Sequence, residues 1–311
     1  MTPATFGNVK RTGTAIALLA ATLFSLPSAA EEALLIPAQL VIEDVGASER
    51  VDYSGRLRLL GQAIAAGSCF YLGAGGGEEA KSTVLKSVEA FDKILAALRN
   101  GDESLGIIGP EKRTKTLMVL DDLAALWEPY RTAAAGSVSG ENAEQHATYL
   151  AENNMALLAQ AVVLASDINA EYANPAEMMQ ANALVIDITG RQGMLTQKML
   201  KEACGVETAN PGFGSAADLQ ATLNMFDASL NALVGGMPDA GVMAPPSPEI
   251  EAAVRASVEE WAPLKAGLQQ VIDTGDIPDE KRHDLFIGVE ALRETMTKLT
   301  VQYREAAVQG L

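Results

Sequence analysis

Residues 187–204 read DITGRQGMLTQKMLKEAC, and residues 52–69 read DYSGRLRLLGQAIAAGSC. Setting Gly55 over Gly190 gives an offset of 135 that also aligns Asp52 with Asp187, Arg56 with Arg191, Leu60 with Leu195, Gln62 with Gln197 and Cys69 with Cys204. The register continues downstream: Phe91 meets Phe226, Leu98 meets Leu233 and Gly101 meets Gly236, while Trp127-Glu128-Pro129 meets Trp261-Ala262-Pro263 one residue short. A chain that repeats itself at this distance must build one module twice, and this restricts its fold more than its composition does.

The module is helical. Leu57, Leu60, Ile64 and Tyr71 fall at helical spacing, and the glycine-rich run 73–77 stops the pattern. A second helix is expected over 79–98, with Val84, Val88, Phe91, Leu95 and Leu98 inward and Asn100-Gly101-Asp102 as its stop. A third covers 111–135 and a fourth 140–172, and Asn174-Pro175 closes the module. The second copy places helices at 176–206, 215–234, 248–274 and 278–308. β-branched residues are scattered rather than alternating and aromatics make up only 5%, which leaves no strand pattern. The expectation is an all-α protein of two tandem antiparallel up-and-down four-helix bundles, at 49–174 and 175–311 after a lead at 31–48. Only Asn174-Pro175 separates the bundles, so one kinked rod would join them end to end.

Lys10 and Arg11, the apolar run 14–26 and Ser28-Ala29-Ala30 read as a signal peptide over 1–30, cleaved after Ala30. A periplasmic protein follows from this, and no later segment is apolar enough to span a membrane. The net charge is −17, and the leader carries two of the basic residues and no acidic ones, which excludes nucleic acid as a partner. Two cysteines, two histidines and eleven dispersed methionines assemble no haem, zinc or copper motif, so no metal or cofactor is expected. His146 and His283 read as helix-start residues, and Trp127 and Trp261 as packing under a proline kink. No nucleophile and base arrangement points to an enzyme.

A second face of the repeated helix remains. Gly55, Arg58, Gln62, Ala65 and Cys69 are spaced 3, 4, 3 and 4, and their counterparts are Gly190, Gly193, Gln197, Leu200 and Cys204. Glycines admit a close neighbour, and a buried guanidinium needs an acceptor, so this seam is not a plain apolar core. The Asp52/Arg56 and Asp187/Arg191 spacings form helical ion pairs. The two cysteines leave open a bridge between the repeats or two small buried hydrophobes.

The segments 52–62 and, more clearly, Ile188-Thr189-Gly190-Arg191-Gln192-Gly193-Met194-Leu195-Thr196-Gln197-Lys198 resemble the signature helix of the PilJ-type N-terminal domain. That domain belongs to type IV pili methyl-accepting chemotaxis transducers and is related to the periplasmic sensor of NarX-type nitrate/nitrite kinases. The resemblance implies a sensing or binding protein for a small anion such as nitrate or nitrite. Arg58 would be the ligand arginine, with Gly55, Gln62, Gln197 and Arg191 around it. The second repeat departs from the pattern, since Gly193 stands where the arginine would be. A membrane-bound sensor or other envelope protein would be the partner, with a homodimer as a further arrangement. The competing reading is a structural or protein-interaction module without a small ligand.

Overall fold

Residues 46–73, 75–172 and 180–310 are described by a computed structural model, and they belong to one compact unit. Each repeat supplies four helices: α1 (Ala47–Leu72), α2 (Gly77–Asn100), α3 (Thr114–Ser137) and α4 (Ala143–Tyr172), then α5 (Gln180–Glu207), α6 (Ala216–Gly235), α7 (Pro248–Thr274) and α8 (Asp279–Val308). The expected leader, most of the lead and the Asn174-Pro175 junction lie outside the described residues.

Local chemistry sets the ends. Ser215 and Asp218 close a capping box at the start of α6, and Ser247 caps α7 ahead of Pro248. α2 and α6 end alike, at Gly101 and Gly236 with φ of 81° and 76°, a region that favours glycine. After each comes one 3₁₀ turn, Glu103–Leu105 or Pro238–Ala240, spanned by an isolated bridge, Asp102 to Ile107 or Met237 to Val242. The α2–α3 loop is therefore duplicated along with the helices. Among the described residues there is no strand beyond these bridges.

In the first repeat α1 packs on α2, α2 on α3, α3 on α4 and α4 on α1, and α5 to α8 close the same ring. The two antiparallel bundles are thus present in tandem, as expected. α1 also lies along α5, its most extensive partner, so the described parts of the bundles meet side by side. This changes the reading of the repeated helix. An amphipathic α1 with one apolar stripe was expected, but α1 touches α2, α4 and α5 and is buried nearly all round, including Ser54, Gly55, Arg58, Gln62 and Ser68.

Burial patterns fix the internal register. Leu150, Ala161 and Ile168 of α4 match Leu285, Met296 and Tyr303 of α8 at an offset of 135, so His146 and His283 are not equivalent. Both tryptophans are held by an aspartate from the preceding helix. Trp127 stacks on Phe91 at 3.8 Å and donates to Asp92 at 2.8 Å, while Trp261 packs on Phe226 and donates to Asp227 at 2.7 Å. Arg131 and Lys265 bind the other oxygen of these carboxylates. The prolines two residues on, Pro129 and Pro263, lie inside α3 and α7.

Candidate functional site: the seam between the repeats

The glycine, arginine, glutamine and cysteine seam of α1 faces its counterpart on α5. Arg58 bonds Asp187, a Cβ on Gly193 would meet Leu59, Cys69 bonds Cys204, and a Cβ on Gly73 would meet Thr208. Partners rise together along both helices, so α1 and α5 run parallel and the halves relate by a pseudo-two-fold axis along the seam. Cys69 and Cys204 form a disulfide with Cα atoms 6.2 Å apart, an ordinary bonding separation.

At the other end of the seam, each repeat's first aspartate gathers two guanidinium groups. Asp187 accepts from Arg58 Nη2 at 2.8 Å and from Arg191. Asp52 accepts from Arg56 at 3.0 and 2.7 Å and from Arg304 of α8 at 2.9 Å. Burial pushes the Asp187 carboxyl up, but the attraction and hydrogen bonds of Arg58 and Arg191 outweigh it, and the net direction is down. Arg58 is 5% exposed and also donates to the Gly55 carbonyl at 3.3 Å, so its fork is turned onto protein acceptors. Arg191 is the more open of the pair, with its side chain 45% exposed.

The missing second arginine has a steric reason. A Cβ on Gly193 would lie 2.9 Å from Leu59 Cδ1, so Leu59 takes the space an arginine would need. Beside it, Asp52, Arg56, Leu59, Thr189, Gly190, Gly193, Thr297 and Thr300 enclose about 10 Å³, room for one water.

Halfway along the seam sit the paired glutamines, both fully buried. Gln197 donates to Glu290 of α8 at 2.8 Å and leaves its carbonyl oxygen unpaired, while neither polar atom of Gln62 has a protein partner. A buried amide without any partner costs about 1–3 kcal/mol, which makes this pair the least satisfied polar point of the seam.

Several charged residues that shape the interior escaped the sequence reading. Asp92 and Asp227 carried a visible signal, a repeated Phe-Asp pair at an offset of 135. Arg50, 1% exposed, donates to the carbonyls of Leu98 and Gly109, lies 3.8 Å from Glu111 and faces the ring of Tyr172. Its counterpart is Val185, so the repeat gave no hint of it. Lys201, 2% exposed, donates to Asn154 at 2.8 Å, and burial brings its pKa down to about 8. Its counterpart, Ala66, is equally silent.

No group of three or more His, Cys, Asp or Glu side chains is placed to hold a metal ion among the described residues. None of the described helices is long and apolar enough to cross a membrane. The chain is thus a doubled helical bundle, paired in parallel through its first helices and built around buried ion pairs. The family described as PilJ, type IV pili methyl-accepting chemotaxis transducer N-term, matches residues 43–155 and again 176–284. The match spans most of the chain, which belongs to that family in two copies. No curated protein matches the chain.

Proposed function

We propose that the protein is an exported, non-enzymatic sensing module that passes its state to an envelope protein, such as a membrane-bound transducer, by docking on it. The observation that carries this reading is the parallel α1–α5 pair of two transducer-type domains, pinned at one end by Cys69–Cys204. With that end fixed, relative movement of the halves concentrates at the opposite end, where Arg58, Asp187, Asp52 and Arg304 exchange partners across the repeats. A bond between two cysteines belongs to an oxidising compartment, which supports export to the periplasm.

A small oxyanion such as nitrate or nitrite is the ligand that the arginines favour. Arg58 and Arg191 converge on one carboxylate, and a planar anion would enter by displacing Asp187. Gly55, Gln62 and Gln197 would line its surroundings.

Isothermal titration of the full chain with nitrate and nitrite, followed by hydrogen exchange, tests both parts. The account expects saturable heat that Arg58→Ala abolishes, with altered protection in the N-terminal halves of α1 and α5. No heat at millimolar anion removes the oxyanion. A stable envelope complex indifferent to every small molecule tried would replace the sensing reading with a structural interaction module.

A further inference from the structure

The pseudo-two-fold axis makes two grooves beside the seam, one between α2 and α8 over α1, the other between α6 and α4 over α5. By symmetry they should match, and they do not. In the second groove Lys198 bonds Thr222 at 2.8 Å and pairs with Glu202, while Lys201 reaches Asn154 and Met155 of α4. These lysines occupy the positions of Ala63 and Ala66. The first groove, lacking them, holds a cleft of about 310 Å³, within the range of small-molecule sites.

The walls of this cleft are chemically ordered. α2 contributes Ser82, Thr83, Lys86 and Ser87, and α8 contributes Glu290, Arg293 and Glu294 over an apolar floor that includes Leu60 and Ala63. Among the described residues no hydrogen bond uses the three hydroxyls or the Lys86 ammonium, whereas Thr222, the counterpart of Ser87, is bound by Lys198. Glu290 is held in place from behind, one oxygen by the buried Gln197 at 2.8 Å and the other by Arg293 at 3.2 Å. The ionic side chains of the two walls, Lys86 and Arg293 against Glu290 and Glu294, sum to zero charge, which matches a net-neutral ligand that carries one charge of each sign.

We infer that this cleft binds a free α-amino acid as its zwitterion. Lys86 and the hydroxyls of α2 receive the carboxylate, Glu290 and Glu294 receive the ammonium, and an aliphatic side chain lies on the Leu60 and Ala63 floor. Because the site bridges α2 of one repeat and α8 of the other, an occupant ties the halves together beside the seam. The inference rests on the sensing reading and moves its ligand away from Arg58.

Isothermal titration of the full, oxidised chain with the twenty amino acids, one at a time, tests this. At least one is expected to bind saturably, with affinity lost for its N-acetyl and amide derivatives, which each lack one charge. Glu290→Gln should weaken binding at least tenfold. Ala63→Lys, which places the residue of the second groove in the first, should abolish it while circular dichroism still reports the folded helical bundle. No heat from any amino acid at millimolar concentration, or binding untouched by Ala63→Lys, overturns the assignment. If nitrate or nitrite binds in that case, the sensing reading survives without this cleft. If neither class binds, both fall.

Discussion

Asp187→Asn, which removes the anionic partner of both Arg58 and Arg191, is predicted to destabilise the protein more than Arg58→Met, which breaks the Arg58 pair alone. Arg58 keeps only 6% of its side-chain exposure and, without the Asp187 charge, is left with neutral acceptors alone, the asparagine oxygen and the Gly55 carbonyl at 3.3 Å. Stranding a buried charge costs about 3–5 kcal/mol, and the 17% exposure of Asp187 discounts this to roughly 3 kcal/mol. In Arg58→Met the aspartate keeps Arg191 and some water, and the methionine preserves packing along the stem, so the loss should be about 1–2 kcal/mol. In the double variant no charge is stranded, and its destabilisation should fall short of the sum by at least about 1 kcal/mol. The pH dependence has a definite sign. The folded pKa of Asp187 lies below its ordinary value, so its contribution is present above the unfolded carboxylate pKa and is lost as pH falls through the folded value. Urea denaturation of the oxidised wild type and three variants at pH 7, repeated at descending pH, measures all of this. Single-variant effects that add within about 0.5 kcal/mol, or an acid limb unchanged in Arg58→Met, would refute the reasoning.

Cys69→Ser with Cys204→Ser opens a closure spanning 135 residues, for which chain entropy gives about 5 kcal/mol as an upper figure. Tm should therefore drop well below wild type, and reductant should lower the Tm of wild type alone. Lys201→Met removes a cation whose folded pKa, near 8, lies below its ordinary 10.5. The cost of charging it is full below pH 8 and disappears by about 10.5, so wild-type stability should rise across that window and the variant's should not. Trp127→Phe keeps the contact with Phe91 but loses the bond to Asp92, and a loss of about 1 kcal/mol in urea denaturation is expected.

The helices and their order were legible because each carries its own apolar period and stop residues, and the duplication supplied a second reading of every element. The seam was legible as a face, since glycine and cysteine at helical spacing mark where another backbone comes close. What that face meets was not. One helix cannot reveal that α1 is buried between three others, and the stripe of Leu57 and Ile64 looked sufficient to account for it. Arg58 shows the same limit for a site: its sequence neighbours are Leu57 and Leu59, while its partner, Asp187, lies in the other repeat 129 residues away. The open cleft was hidden for a different reason. It follows from Ala63 facing Lys198 across the pseudo-symmetry, a difference that matters only once α2 and α8 are known to stand on either side of it.

Every functional proposal here depends on α1 and α5 lying face to face within one chain. Non-reducing peptide mapping of protein purified from the exported fraction, with thiol alkylation before digestion, tests this most directly. The account predicts one linked peptide pair carrying Cys69 and Cys204 and no alkylated thiol. Two freely alkylated cysteines, or a bond between two copies of Cys69, would contradict it.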